Sequence, residues 1–273
     1  MTSESWISRP VSRFKGAARS EEVDDLAIED PLEIRVAGET IAVTMRTPGQ
    51  DEWLVAGFLL AEGIISNLHD VARIYHCGRP GTAEFINTID VVPAPGQAFD
   101  LELLATSKRG ALTTSACGVC GRKTIEDLVA RCRPIEKDST IFSDDIRKCV
   151  NALGDHQPNF KRTGGTHVAG IFDRFGVALN CCEDIGRHNA VDKAVGSLLY
   201  RDVWPEEASL LAISGRASFE MVQKAVTARL PFVASVSAAS TLAVSLAERM
   251  GITVAGFVRE NTLNVYTHAE RVT

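Results

Sequence analysis

The sequence predicts an α/β chain, α+β over its full length, in which a sheet-rich amino-terminal part precedes a part with alternating strands and helices. The last third shows this alternation most clearly, with strands expected at 210–213, 232–236 and 252–257 and helices at 218–228 and 240–250. Short connections in a β-α-β-α-β order build a sheet with parallel strand pairs that helices cover. The strand-to-helix loops of such a sheet lie along one edge, where we expect a binding site.

The amino-terminal part is predicted to be rich in β-structure. Apolar side chains alternate through residues 32–46 on both sides of Ala37-Gly38-Glu39, a pattern typical of a β-hairpin. A helix is expected to start near Asp51 and to end at Gly63. Three further strand-like stretches follow, at 71–76, 84–92 and 99–104.

In the middle of the chain, the sequence predicts a change from mainly strands to a mixture of helices and strands. Ser143-Asp144-Asp145 predicts the cap and first turn of a helix that runs to about Leu153. Residues 154–166 are expected to form a loop, followed by a second hairpin and a helix that ends near Leu199. We therefore divide the chain into a disordered lead at 1–30, a sheet-rich domain with a Cys-x-x-Cys loop at 31–138 and an α/β domain that binds a cofactor at 139–273.

Composition limits the classes of function. The 273 residues are 45% hydrophobic with a net charge of -6, which is typical of a globular protein and argues against a nonspecific nucleic-acid binder. The first thirty residues hold no apolar core like that of a signal peptide, and no stretch reaches the roughly 18 apolar residues of a membrane-spanning helix. We expect a cytoplasmic protein without nucleic-acid or membrane partners.

Seven cysteines are scattered along the chain, so a disulfide framework is not expected. Cys132 and Cys149 lie on apolar helical stripes, where a buried, inert thiol is the default. Cys117 and Cys120 differ from them, because glycines flank the pair and a helical pattern begins directly after it. A helix amino end beside cations favours the thiolate, which is both a nucleophile and a metal ligand.

Four interpretations of this cysteine pair compete. A structural zinc site needs two more ligands of suitable spacing, and a thioredoxin-like dithiol is expected earlier in a βαβ unit. An inert pair fits poorly with the glycines and the adjacent Arg122-Lys123. We favour a persulfide carrier, in which one thiolate takes up a sulfur atom and the second assists its release. No permanent metal is expected.

Four loops supply candidate ligand-binding residues. The segment 183–193 concentrates acids, bases and amides where a strand meets a helix, and 214–218 joins a strand to a helix with Arg216 in its middle. The segment 164–167 precedes a strand, and 256–262 turns back from the last α/β strand, with Phe257 available for ring stacking. The candidates are Gly165, His167, Asp184, Arg187, His188, Asn189, Ser214, Gly215, Arg216, Phe257, Val258, Arg259, Glu260, Asn261 and Thr262.

Each loop also has a plain structural explanation. Asp184 can cap a helix while Arg187 pairs with a neighbouring carboxylate, and short glycine loops often only turn the chain. The functional interpretation places His188 and Asn189 at a pocket lip, against a base, a pterin or a phosphate. Backbone N–H groups at a helix amino end, together with Arg216, then bind phosphate.

Several motifs together resemble the formate dehydrogenase accessory sulfurtransferase family, FdhD. They occur in one order from about residue 30 to 270: Arg46-Thr47-Pro48-Gly49, Gly57-Phe58-Leu59, Glu62-Gly63, Cys117-Gly118-Val119-Cys120-Gly121, Thr163-Gly164-Gly165-Thr166-His167, Glu183 to Lys193, Ser214-Gly215-Arg216 and Gly256-Phe257-Val258-Arg259. Any one of them is unremarkable, but their joint order is specific.

The resemblance implies a cytoplasmic, homodimeric sulfur carrier with a deaminase-like α/β core. Such a protein takes sulfur from a cysteine desulfurase and passes it to the molybdenum cofactor, in its bis-guanine dinucleotide form, before insertion into formate dehydrogenase. Cys117 then matches the persulfide-bearing cysteine, Cys120 its companion, and 257–262 the stretch associated with the guanine dinucleotide. The zinc signature of deaminases, His-x-Glu with Pro-Cys-x-x-Cys, is missing. A noncatalytic chaperone that binds cofactor and enzyme remains the main alternative.

Overall fold

The computed structural model describes residues 5–100, 126, 129–130, 132–135, 139–201 and 208–273. Its helices are α1 Asp51–Glu62, α2 Ala83–Asn87, α3 Ser143–Ala152, α4 Pro158–Thr163, α5 Arg187–Arg201, α6 Phe219–Thr227 and α7 Thr241–Met250. Its strands are β1 Trp6–Lys15, β2 Ala18–Ala27, β3 Asp30–Val36, β4 Glu39–Arg46, β5 Val71–His76, β6 Thr88–Pro93, β7 His167–Phe172, β8 Ala178–Asp184, β9 Leu210–Ile213, β10 Phe232–Ser235, β11 Thr253–Gly256 and β12 Asn264–Val265. The mixed α/β class is therefore confirmed.

A six-stranded sheet forms the centre of the carboxy-terminal half, in the order β12-β11-β10-β9-β7-β8. Strand β10 pairs in parallel with both β9 and β11, as the β-α-β-α-β rhythm predicts. Strands β7, β8 and β12 pair antiparallel to their neighbours. Because β7 runs against β9, the start of β7 lies at the same sheet edge as the ends of β9, β10 and β11.

Both faces of this sheet are covered. Alternate residues of β9 divide between two buried clusters: Leu211 and Ile213 join the larger one, whereas Leu210 and Ala212 join the smaller one. The larger cluster includes α1, α5, α6 and α7, and the smaller one includes α3. The sheet is thus a middle layer, which explains why its strands are nearly continuous apolar runs.

The amino-terminal part forms a four-stranded sheet in the order β4-β3-β6-β5. The predicted hairpin turn joins β3 to β4, with positive φ values of 50° at Ala37 and 84° at Gly38. Leu32 and Ile89 of this sheet belong to the same buried cluster as Val195 of α5. The two parts therefore share a continuous apolar core, while the boundary near residue 138 stays a prediction.

The structure contradicts the prediction of a disordered lead at 1–30 for the residues that it describes, from Ser5 onward. Strands β1 and β2 form a two-stranded antiparallel hairpin that pairs Trp6 with Ala27 and Lys15 with Ala18. Its charges look like those of a disordered segment, but they are sorted by strand: the β1 charges are basic and most β2 charges are acidic, as in the ion pair of Arg13 with Glu22 at 3.2 Å. Opposite charges across the strands stabilise the pairing.

Two further expectations need correction. The stretch 84–92 is helix α2, whose first turn Thr82 caps by accepting a hydrogen bond from the Phe85 N–H, followed by β6. The expected loop 154–166 contains α4, which begins at Pro158, a residue that suits the first position of a helix. Most of the strand predicted at 99–104 lies outside the described residues.

Candidate functional site

The predicted ligand-binding segments converge at one edge of the six-stranded sheet. The pairing of His167 with Asp184 places the start of β7 beside the end of β8. Ile213 at the end of β9 pairs with Ser235 at the end of β10, which adjoins β11. Neighbouring strands are about 4.8 Å apart, so the edge from β8 to β11 extends over roughly 19 Å. This length suits an extended ligand better than a single small ion.

Arg187, His167, Ser214 and Gly215 form a compact group at the β7–β9 side of this edge. The Nδ1 atom of His167 lies 3.3 Å from the Ser214 hydroxyl, which also accepts a hydrogen bond from the Val168 N–H. A Cβ atom on Gly215 would lie 3.4 Å from Cδ of Arg187. The stem of Arg187 thus packs along the glycine backbone, and its guanidinium is positioned by that contact.

The electrostatics of this group favour an anionic ligand. The buried Nε of Arg187 has no hydrogen-bond partner within the described part of the chain. Burial lowers the pKa of His167, the Arg187 charge lowers it further, and Asp184 opposes both. His167 is therefore neutral near pH 7, and Arg187 supplies the positive charge.

Asp184 and Asn189 occupy the interior instead of the surface. Asp184 is fully buried, pairs with Lys193 at 2.8 Å and accepts hydrogen bonds from the N–H groups of Thr47 and Gly186. Burial raises its pKa, and Lys193 opposes that effect. Asn189 donates to Asp184 and to the Met45 carbonyl. Asp184 holds the β4–α1 loop at Thr47, and Asn189 holds the end of β4 at Met45. These internal bonds do not favour the predicted direct role of the two side chains in ligand binding.

The end of β11 exposes an aromatic ring and a guanidinium. Phe257 is 45% exposed and has a positive φ of 50°, whereas Val258 is buried in the smaller cluster. The Arg259 side chain donates to the Val236 and Val258 carbonyls, and its backbone N–H bonds to Thr262. Glu260, Asn261 and Thr262 are exposed at the turn. The turn therefore presents Phe257 at the sheet edge with Arg259 held beside it.

The edge fits a ligand with phosphates. The amino ends of α5, α6 and α7 all follow strands that end there, and the first N–H groups of a helix have no partner within the helix. Arg216 is exposed between β9 and α6, and the loops after β9 and β10 are joined through hydrogen bonds of Ala217. Gly165, by contrast, is exposed beside Ala27 of the β1–β2 hairpin, at the margin of the group.

Sequence reasoning missed one residue of this edge, Glu220. It lies in the first turn of α6, where Ser218 donates a hydrogen bond to its Oε2 at 2.7 Å. The charges of His188, which is 9% exposed, and of Arg187 act on this carboxylate. The spacing Ser-x-Glu after the strand-to-helix loop is the signal that could have identified it.

A second concave feature lies beside β8, next to this edge. It is a cleft of about 480 Å³ between the β4–α1 loop and α4, lined among others by Gln50, Cys181 and Glu183. The Glu183 carboxylate accepts hydrogen bonds from the N–H groups of Asn159 and Phe160. Its oxygens therefore stabilise the start of α4.

The predicted reactive cysteines, Cys117 and Cys120, lie outside the described residues. Among the described thiols, burial raises the pKa of Cys149 and of Cys182 to about 12 and that of Cys181 to about 11. The expectation of an inert Cys149 is confirmed by its complete burial. No group of three or more His, Cys, Asp or Glu side chains arranged for a metal occurs in the part that the structure describes.

Comparison with known proteins decides the family. The model of the FdhD/NarQ family matches residues 27–273. The chain belongs to the FdhD/NarQ family. Two relatives named sulfur carrier protein FdhD come from Anaeromyxobacter dehalogenans (strain 2CP-C), 48% identical over 97% of this chain and 92% of the relative, and from Mycobacterium tuberculosis (strain ATCC 25618 / H37Rv), 46% identical over 92% of each.

A crystal structure shows a similar fold. It belongs to a protein from Desulfotalea psychrophila described as a candidate formate dehydrogenase accessory protein, with a TM-score of 0.77, 23% identity and coverage of 99% of this chain and 100% of that one. The resemblance inferred from the motifs is thus confirmed at the level of the FdhD family. Among the described helices, none combines the length and apolar character needed to cross a membrane.

Proposed function

We propose that this FdhD-family chain is a sulfurtransferase that carries persulfide sulfur from a cysteine desulfurase to the molybdenum cofactor, before the cofactor enters formate dehydrogenase. The observation that carries the proposal is the convergence of the predicted ligand-binding segments at one sheet edge, where Arg187, Arg216 and Phe257 each follow the end of a strand. The names of the curated relatives support the sulfur-carrying part.

The edge suits the bis-guanine dinucleotide form of the cofactor as cargo. Phe257 provides a face for a purine ring, with Arg259 beside it, and the helix amino ends with Arg187 provide N–H groups and charge for phosphates. The cargo supplies a metal centre that receives sulfur. The chain's own residues bind and orient it, and Asp184, Asn189 and Lys193 keep the edge in shape.

The sulfur chemistry is assigned to Cys117 and Cys120. The Cys117 thiolate attacks the terminal sulfur of a desulfurase persulfide, and the desulfurase thiolate leaves. The Cys120 thiolate then attacks the inner sulfur of Cys117, which forms a disulfide and releases sulfide to the cargo. The two thiols supply the two electrons, and a thiol reductant of the cytoplasm, where we place the protein, restores the pair.

Mass spectrometry after incubation with a cysteine desulfurase and cysteine tests the sulfur carrier. The intact chain should gain sulfur, the gain should disappear on treatment with a thiol reductant, and Cys117→Ala should abolish it. Cys149→Ala is the matched control, because that thiol is buried. No loading at all favours the noncatalytic chaperone, and unchanged loading in Cys117→Ala contradicts the assignment of the persulfide to Cys117. Bound stoichiometric zinc would favour the structural-metal alternative.

Nucleotide binding tests the edge. GDP should bind, and Arg259→Ala or Arg216→Ala should each weaken binding by about tenfold, the value of a good charge-assisted contact. Arg174→Ala is the matched control, because Arg174 is an exposed arginine in the β7–β8 turn at the opposite edge. Equal effects of all three changes on GDP affinity would show that GDP does not bind at this sheet edge. Light scattering tests the homodimer that we also propose.

A further inference from the structure

Glu220 is an acidic residue at a sheet edge whose other functional groups suit an anionic ligand. It is a half-buried carboxylate that accepts a hydrogen bond from Ser218, and the charges of Arg187 and His188 act on it. Burial opposes its ionisation, but the Ser218 hydrogen bond, its backbone N–H and the charges of His188 and Arg187 lower its pKa. Glu220 is therefore ionised at neutral pH and would repel a phosphate placed beside it.

A carboxylate at this place suits a ligand group that donates hydrogen bonds. It has two oxygens with about four acceptor positions, of which the Ser218 hydroxyl and the Glu220 backbone N–H fill two. Two adjacent N–H donors on a flat ring complement the two oxygens of a carboxylate in a paired geometry. The 2-amino-4-oxopyrimidine edge has such a pair, and both guanine and the pterin of the proposed cargo contain it.

The position of Glu220 along the edge indicates which of these two rings it would contact. Phe257 follows β11, whereas Glu220 follows the loop after β9, two strands away and therefore about 10 Å along the edge. With guanine stacked at Phe257, the ribose and the phosphates extend along the edge past the loop after β10 and the amino end of α7. The pterin of the same dinucleotide then comes next along the edge.

We propose that Glu220 binds the 2-amino-4-oxopyrimidine edge of the pterin in the cargo and so fixes the direction of the dinucleotide along the sheet. This inference rests on the proposed function. It places guanine over β11 and the metal-bearing end over the β7–β9 side, next to His167 and Arg187. The competing explanation is structural, because an acid in a first helical turn stabilises the helix through its dipole.

The test uses the full chain and two stable probes that differ in the 2-substituent of the ring, and with it in the proton on N1. These are 6-hydroxymethylpterin, with a 2-amino group, and 6-hydroxymethyllumazine, with a 2-oxo group, titrated by their fluorescence up to about 1 mM. Glu220→Gln places an amide donor against the ring donors. Glu52→Gln is the matched control, because Glu52 is an exposed acid at the second position of α1.

We expect the native chain to prefer the pterin over the lumazine by about tenfold, since a site built for a hydrogen bond rejects the analogue that lacks it. Glu220→Gln should bring this preference close to one and leave GDP affinity within about twofold, whereas Glu52→Gln should change neither. The melting temperature checks the helix-dipole explanation, which predicts a shift without any change in pterin preference.

Three results would overturn the assignment. The first is an unchanged pterin preference in Glu220→Gln, and the second is no pterin binding to the native chain. The third is loss of discrimination between GDP and IDP in Glu220→Gln, which would assign the carboxylate to guanine. Failure of GDP to bind the native chain is a separate outcome that contradicts the proposed nucleotide site, while the pterin titration still reports on Glu220.

Discussion

Replacement of Gly57 by alanine should destabilise the contact on which the relative position of the two parts depends. Gly57 lies inside α1 against α5, where an added Cβ would be 2.0 Å from the Asp192 carbonyl oxygen. Relief to 3.4 Å, where ordinary van der Waals contact begins, requires a movement of roughly 1.4 Å. Helices cannot flex by that amount locally, because Gly196 of α5 is equally close to the Trp53 carbonyl, at 1.9 Å for its own Cβ position.

The loss of stability expected for Gly57→Ala follows from two destabilising contributions and one stabilising contribution. A separation of about 1 Å forfeits up to half of the dispersion energy across the contact, and overpacking costs about 1–3 kcal/mol or more. Alanine regains about 1 kcal/mol of helix propensity. We expect Gly57→Ala to lower the free energy of unfolding by about 3 kcal/mol and the melting temperature by roughly 6–12 °C.

Calorimetry and urea denaturation measure this change. Gly154→Ala is the matched control, because its Cβ would meet nothing within 4 Å, and it should be neutral or stabilising by less than about 1 kcal/mol. A Gly57→Ala protein as stable as the native chain would show that the α1–α5 contact is looser than its geometry indicates, and the shared core would lose its main support.

Three further outcomes are expected. Lys193→Met leaves the buried Asp184 charge uncompensated and should cost about 3–5 kcal/mol in urea denaturation, so a loss under about 1 kcal/mol would contradict the pairing. Burial raises the pKa of Asp192 from 3.8 to about 6. Between pH 4 and pH 6 the folded chain then binds more protons than the unfolded chain, and the free energy of unfolding should fall by roughly 2 kcal/mol across this range, a slope that Asp192→Asn should flatten. Arg162→Ala removes the guanidinium that lies 3.2 Å from the Trp6 ring centroid, and limited proteolysis should then cut the β1–β2 hairpin sooner, while unchanged cleavage would refute this anchor.

The elements that sequence reasoning located best have strong local signals. Strand β5 matches the expected 71–76 and strand β9 the expected 210–213. The end of α1 at Gly63 follows from a left-handed conformation with φ of 71°, which glycine adopts without strain. In these places the apolar periodicity, the capping residues and the turn residues all predict the same element. Contacts with the rest of the fold therefore do not change it.

The errors have physical reasons of their own. The hairpin β1–β2 is stabilised by pairing between strands of opposite charge and by contact with α4, and neither shows in a single segment. Helix α2 has only five residues, too few for a helical period to appear, and its start depends on Thr82. Short elements of this kind are decided by their neighbours, which a pattern search along one chain does not include.

The segment from Glu183 to Lys193 shows that a motif rich in polar residues predicts the location of a site better than the role of each residue in it. Asp184, Asn189 and Lys193 bond to one another, to Met45 near the end of β4, or to Thr47 of the β4–α1 loop. Arg187, the first residue of α5, has a buried Nε without a hydrogen-bond partner among the residues that the structure describes. A buried polar network is costly unless all its members are satisfied, so it holds the loop and the strand end in one arrangement. The internal residues therefore preorganise the edge, and the binding energy of a ligand can be assigned to Arg187 and its exposed neighbours without any cost for ordering the backbone.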